Sequence, residues 1–548
     1  MNGETIGGES IWLVVALAWP LLLLAGCLSA RLRTPLFRLL PVAPLPAFIA
    51  ALMLPDGSFF VLPDALLGLA FLLDGAGALL LGTAALLWMA AGLYANVYRR
   101  ASTDDARFTI WWLATLTGSL GVFIAADLPG FYLFFTIVSL SAYWLAIDDN
   151  TPAVRRAGAV YVSFALLGEA FLLFAFILLA IGAPDGSLLI GQAVAALPDS
   201  PFGNVALGLI ILGFGIKIGL VPLHVWMPLT YSAAPIPVAA VLSGAAVKAG
   251  VIGLIRFLPF EVALPDWGEA LAALGMFSAF YGVAIGITQS NPRTVLAYSS
   301  ISQMGVIAAV LGMGLAAGDL AAPILAAFYA LHHILVKGGL FLALGVVTQG
   351  RTRGLWPVVL PASVIALGLG GLPLTGGALA KIAVKDLLGD GWVSLLAMGS
   401  AAGSTLLMLH FISRLRHVAD HERAEPASSR LVWPWLFIAL CAVVLPWLLF
   451  PIVTQASWGY ALSPAMLWDS LWPVLAGLLL AFGLRRIRHM LPAIPPGDVL
   501  AAGDRLMAAG GALGRIMERF DWHLRQWPVA ATALLIFAVI FAVMSAGR

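Results

Sequence analysis

Along this chain, apolar residues come in long uninterrupted runs, and polar residues gather in the short gaps between them. A run of about 17–25 apolar residues is long enough to cross the hydrocarbon core of a bilayer as a helix. Sixteen such runs occur, near 11–30, 36–54, 65–97, 108–126, 129–147, 157–182, 203–228, 235–258, 268–288, 294–314, 322–348, 356–384, 391–412, 431–453, 466–484 and 527–545. The pattern predicts an all-α polytopic membrane protein of about 14–16 transmembrane helices. The run near 36–54 is the weakest, because Pro41, Pro44 and Pro46 interrupt it. The first run has no basic leader and ends in Arg31 and Arg33, so it reads as a first span rather than a signal peptide.

Arginine placement orients these spans. With the N-terminus outside, 22 of the 24 arginines fall in inner loops, and Arg256 and Arg548 fall outside. The outer loops carry acids instead, among them Asp56, Asp64, Asp185 and Asp319. By the positive-inside rule this favours an even number of spans with both termini on the outer side. The expected organisation is N-terminal helices over 1–100, a first five-helix unit over 108–258, a second over 268–413, and C-terminal helices over 431–548. Within the last, apolar Leu506, Leu513, Ile516 and Phe520 recur at helical spacing, which predicts an amphipathic inner-surface segment near 497–525.

Composition narrows the function classes. Of 548 residues, 61% are hydrophobic and 10% charged, against about 25% charged in a soluble domain. A net charge of +2, with basic residues scattered over short loops, excludes a nucleic-acid-binding protein. Cys27 and Cys441 lie far apart in apolar runs and form neither a disulfide framework nor a metal-ligand spacing. No phosphate loop, nucleophile elbow or cofactor motif is legible, so no catalytic, redox or metal centre is expected in the chain itself.

The cations differ by position. Only five are lysines, Lys217, Lys248, Lys337, Lys381 and Lys385, and all lie in apolar or glycine-rich segments. A buried lysine can release its proton and an arginine effectively cannot. Glu169 stands mid-span in LLGEAFLLFAF, and an ionisable group inside a membrane is a functional candidate by default. Lys217 lies beside Pro222 and Pro228, and Lys381 beside Gly370, Gly371, Pro373, Gly376 and Gly377. Helix breaks at membrane depth line cavities or are buried in protein. The interrupted spans are the seventh and twelfth, five apart, which predicts two inverted five-helix repeats with both of those helices broken. His333 and Lys337 share a helix face at i and i+4, with His332 on a neighbouring face. Glu169, Lys217, His224, Lys248, His333, Lys337 and Lys381 form the candidate proton relay. Asp74 fits helix packing or conduction equally, and His224 fits either a gate or a histidine satisfied by broken backbone. Lys385 reads as a snorkelling residue at the outer rim, and His410 and His417 as solvated loop histidines.

Four motifs carry a family resemblance: PLHVWMPLTYSAAPIPVAAVLSGAAVKAGVIGLIRF (222–257), LAYSSISQMG (296–305), HHILVKGGLFLALG (332–345) and GLPLTGGALAK (371–381). The chain closely resembles, over roughly 65–415, the antiporter-like proton-translocating subunits of respiratory complex I, energy-converting hydrogenases and Mrp-type cation/proton antiporters. LPAIPPGDV (491–499) resembles the branch containing the Mrp D subunit and its hydrogenase relatives. The resemblance implies that Lys217 and Lys381 are the lysines of the broken helices, Lys248 the relay residue between them, and His333 and Lys337 the central pair. One departure stands out. Within FYLFFTIVSLSAYWL (131–145), Thr136 occupies the place of the family's fifth-helix glutamate, and a hydroxyl supplies no counter-charge. Glu169, on the next span, is the expected substitute partner of Lys217.

These readings imply a proton-translocating, optionally sodium-coupled, subunit of a multisubunit antiporter-type complex in the bacterial cytoplasmic (inner) membrane. Its partners would be other membrane subunits, the lipid bilayer and the transported ions. Alternatives are a pumping subunit of a hydrogenase or NADH:quinone oxidoreductase, an energising subunit for inorganic-carbon uptake, or a structural scaffold with a dead channel.

Overall fold

The apolar runs become helices in the computed structural model, which describes residues 11–99, 105–147, 151–349, 356–421 and 429–487, then 492, 494–497 and 499–500. The first elements are α1 (Ile11–Gly26), α2 (Arg33–Arg38) and α3 (Leu45–Met53), then strands β1 (Ser58–Leu62) and β2 (Leu69–Leu73). Next come α4 (Gly75–Tyr98), α5 (Asp105–Ile124), α6 (Leu128–Ala146), α7 (Pro152–Gly182) and the short α8 (Ile190–Ala195). The seventh span is α9 (Gly203–Ile218) plus α10 (Trp226–Ala233), and the eighth is α11 (Ile236–Val241) plus α12 (Lys248–Phe257). Then follow α13 (Pro265–Gly286), α14 (Pro292–Ala317) and α15 (Ala322–Gln349). The twelfth span is α16 (Trp356–Gly370) plus α17 (Gly376–Leu388), and the last described elements are α18 (Trp392–His421), α19 (Ser429–Thr454), α20 (Trp458–Ala461) and α21 (Pro464–Ile487).

Eleven described helices are long and apolar enough to span a membrane, and four shorter apolar helices match the remaining expected runs up to 466–484. The run 527–545 and the amphipathic segment near 497–525 lie outside the described residues, apart from the stretch up to Leu500. The weak second span is broken as its prolines require, into α2, a 3-10 turn at Leu40–Val42, and α3.

One element departs from the all-α expectation. Residues 65–73 do not begin the third span; with 58–62 they form an antiparallel hairpin that pairs Ser58 with Leu73 and Leu62 with Leu69. Its turn places Leu66, Leu67 and Gly68 at positive φ. Asp127 fixes this hairpin to the helices. Its buried carboxylate caps α6 by accepting from Gly130 N at 2.7 Å, and also accepts from Ala70 N at 2.7 Å. Burial pushes the Asp127 carboxyl above its usual range, and the backbone N–H groups pull it back. Arg256, the exception to the arginine pattern, closes the same corner. Its guanidinium donates to the carbonyls of Phe123 (2.6 Å), Leu72 (3.3 Å) and Ala125, and pairs with Asp74 at 3.6 Å. Asp74 itself caps α4 through Gly77 N at 2.6 Å. Its place in the fold is thus at a helix end.

Depth within the helix assembly is uneven. The spans Ile236–Phe257 and Ala322–Gln349 are screened on all sides, whereas α7, α19 and α21 are largely peripheral. A helix that is apolar all round belongs in the interior. The two wholly enclosed spans are also the ones that carry Lys248, His333 and Lys337.

Candidate functional site: a buried lysine and histidine series

The break in the seventh span is built rather than frayed. Gly219, at φ +75, takes the left-handed conformation that ends α9 just after Lys217. Freed backbone groups find partners: Trp226 Nε1 donates to Ile216 O at 2.9 Å, and Val221 N donates to Ser278 Oγ at 3.0 Å. Arg293 donates to the Ser232 and Ala234 carbonyls at 3.2 and 3.1 Å, closing the far end of α10. His224 is fully buried in this break and packs edge-on to Tyr281 at 5.1 Å.

Lys217 is buried, and its ammonium donates to Ser139 Oγ on α6 at 2.8 Å, with the Phe135 ring 5.2 Å away. Glu169 is buried on α7 and interacts electrostatically with Lys217, while the Ser139 hydroxyl interacts with its carboxyl. Ser139 thus interacts with both groups, and Glu169 and Lys217 make no ion pair within 4 Å. Thr136 is half-buried and makes no hydrogen bond to Lys217 among the described residues. Ser139 follows Thr136 by three residues, so the two share a face of α6, one turn apart.

The eighth span approaches closely at Gly250, where a Cβ would lie 2.6 Å from Ile218 Cγ2 and 3.0 Å from Lys217 Cβ. Between α11 and α12 the backbone forms a π-helical turn, Leu242–Ala246, and Lys248 begins the helix beyond it. Such turns recur at functional sites because they displace a side chain and expose carbonyls. Lys248 Nζ lies 3.3 Å from the Ser243 carbonyl and 2.5 Å from His333 Nδ1. Only one proton fits between Nζ and Nδ1 at that separation, whichever atom donates. Lys248 and His333 are therefore joined by one hydrogen bond.

The neighbouring histidines of α15 face different partners. His333 meets Lys248, whereas His332 lies against the twelfth-span break, where a Cβ on Gly376 or Gly377 would come within 2.9 Å of its ring nitrogens. His332 is also an electrostatic neighbour of Lys381. Lys337, one turn beyond His333, donates to Leu296 O at 2.9 Å and to Ser299 Oγ on α14. Among the described residues no carboxylate forms an ion pair with Lys217, Lys248 or Lys337.

The twelfth span breaks after α16 at Gly371, φ +99, where a side chain would meet Lys381 Cδ at 3.0 Å. Lys381 lines a cavity of about 100 Å³ together with Tyr329, Lys385, Asp469 and Ser470. At its mouth Lys385 pairs with Asp469 at 2.6 Å, both side chains being exposed, which matches the rim position expected of Lys385. His410 is less solvated than expected. It is half-buried on α18 and bonds the Gln289 carbonyl at 2.7 Å.

The structure thus places Lys248, His333 and Lys337 together in the interior, with His332 and Lys381 at the twelfth-span break and Lys217, Glu169 and His224 at or beside the seventh-span break. Asp74 lies away from them. The serines that bind the lysines, Ser139, Ser243 and Ser299, were not candidates from sequence, since an isolated serine in an apolar run gives no signal of its own.

Residues 125–406 match the family model described as NADH:quinone oxidoreductase/Mrp antiporter, TM. The NADH-quinone oxidoreductase subunit N of Desulforudis audaxviator is 32% identical over 398 residues, 66% of this chain and 77% of that protein. Hydrogenase-4 component B of Escherichia coli is 27% identical over 50% of this chain, which spans 43% of its length. A solved chain of the Mrp complex from Dietzia sp. DQ12-45-1b superposes with a TM-score of 0.77 at 20% identity, covering 99% of this chain and 63% of that one.

Proposed function

Since the chain belongs to the NADH:quinone oxidoreductase/Mrp antiporter membrane family, we propose that it is the proton-translocating membrane subunit of a multisubunit complex. The observation that carries this reading is the set of lysines and histidines from buried Lys217 to half-buried Lys381, which begins and ends at the two broken helices. A mobile proton needs closely spaced groups that accept and release it, and interior lysines and histidines provide them without a cofactor. In this reading Glu169 supplies the negative charge that the fifth span lacks, acting on Lys217 through Ser139. Approach of the Glu169 charge favours the ammonium form of Lys217, and its withdrawal favours release toward Lys248.

The complex sits in the cytoplasmic membrane with both termini of this subunit outside, and sodium is a candidate counter-ion. A redox-driven version is supported by the likeness to a quinone oxidoreductase subunit, 77% of whose length this chain covers. Purification of the native complex distinguishes the versions by the subunits that accompany the chain. The relay is tested by proton uptake into inverted vesicles carrying the assembled complex. Lys217→Ala and Lys381→Ala are each expected to abolish uptake, and wild-type uptake in either would remove the relay reading.

A further inference from the structure

One buried polar cluster beside the series has no part in the mechanism above. Tyr329, His333 and Lys337 stand at i, i+4 and i+8 on α15, so they share one face over ~12 Å of helix. Tyr329 is 2% exposed, and its ring borders the cavity that holds Lys381. Its hydroxyl donates to Gln303 Oε1 on α14 at 2.8 Å. Gln303 Nε2 in turn donates to Ser404 Oγ on α18 at 2.9 Å. As placed, the amide presents its oxygen to the tyrosine and its nitrogen to the serine. On the other side, His333 engages Lys248 through Nδ1, and its Nε2 is buried with no protein partner. The tyrosine therefore stands between an open ring nitrogen and the cavity of the last lysine.

We propose that Tyr329 is the gate between the central pair and the Lys381 cavity, and that Gln303, held by Ser404, is the latch that keeps it closed. The inference rests on the proton-relay reading. An amide oxygen accepts a hydrogen bond but does not take up the proton at neutral pH. While Tyr329 donates to Gln303, its proton is committed to a group that cannot pass it on. Once released, the hydroxyl accepts a proton on its lone pair from the His333 side, through an intervening water. It gives up its own proton to Lys381, and the tyrosine ends unchanged. Tyr329 thus conducts only when the latch is open, which limits leak between turnovers.

The test uses the assembled complex in proteoliposomes, with proton flux followed under an imposed pH gradient and during driven turnover. Tyr329→Phe keeps the ring and removes the hydroxyl, and driven flux is expected to fall at least 10-fold. Tyr329→His restores a proton-exchanging group and is expected to recover flux, which a purely structural role would not produce. Gln303→Leu and Ser404→Ala release the latch and are expected to raise passive leak about 3- to 10-fold, in line with loss of one neutral hydrogen bond. Wild-type driven flux in Tyr329→Phe, with Lys381→Ala silent, overturns the gate and leaves the relay standing. Wild-type flux in Lys381→Ala overturns the relay and the gate with it. If Tyr329→Phe fails to assemble, an unchanged leak in both Gln303→Leu and Ser404→Ala overturns the proposal.

Discussion

Removing a single hydroxyl tests how Lys217 is held. In Ser139→Ala the ammonium loses its 2.8 Å acceptor and keeps the Phe135 ring at 5.2 Å and the more distant Glu169 charge. A hydrogen bond to a charged group contributes about 1.5–3 kcal/mol, and a cation–π contact at this range about 0.5–2 kcal/mol. The ring contact is the same in both proteins and cancels. The net destabilisation of the charged form is about 1.5–3 kcal/mol, a factor of roughly 10–150 in the ratio of protonated to neutral Lys217. Proton uptake by assembled complex should fall by about that factor, while Ser139→Thr, which keeps the hydroxyl, should stay near wild type. A double-mutant cycle with Glu169→Gln separates the mechanism from mere packing. If Ser139 transmits the Glu169 charge, the two losses are strongly non-additive. Wild-type uptake in Ser139→Ala, with Lys217→Ala silent, would refute the bridge. So would strict additivity of Ser139→Ala and Glu169→Gln.

Other substitutions probe the frame around the series. Gly250→Ala adds a methyl against Ile218 and Lys217, so it should cost about 1–3 kcal/mol of packing and reduce uptake although no titratable group is removed; thermal melting and vesicle assays on one preparation check this. Asp127→Ala removes the cap of α6 and the anchor of the hairpin, and should lower stability by about 1–2 kcal/mol, read as a fall in the melting temperature of detergent-purified protein. Lys385→Ala breaks an exposed ion pair of the kind that contributes about 0–1 kcal/mol, so uptake should change less than 2-fold, in contrast to Lys381→Ala in the same assay.

Much of the architecture was readable because it rests on long-period signals. Uninterrupted apolar runs mark the spans, and the glycines and prolines near Lys217 and Lys381 mark both breaks. What escaped reading has local causes. Residues 65–73 are apolar and continuous with α4, so hydrophobicity alone could not separate a strand from the start of a helix. Their first part is a turn that uses Leu66 and Leu67 at positive φ, where sequence statistics expect glycine or asparagine. The π-helical turn before Lys248 leaves no trace in composition. For the site, charge was legible and hydrogen bonding was not. The lysines and histidines announced themselves by being ionisable in apolar runs, whereas Ser139 resembles any other small residue of a packed helix. The divergence of His332 and His333 depends on where α12 and α17 pack around α15, which spacing along one helix cannot reveal. Arg256 broke the arginine pattern because its charge is spent on backbone carbonyls inside the fold.

The central claim is that protons cross this subunit through the shared position between Lys248 and His333. Its most direct test is proton uptake by vesicles carrying the assembled complex with Lys248→Ala, His333→Ala and the double variant. The account predicts that each single change silences uptake as fully as both together, because the 2.5 Å pair acts as one unit. Uptake at the wild-type rate in either single variant, in complexes that retain all their subunits, would contradict it.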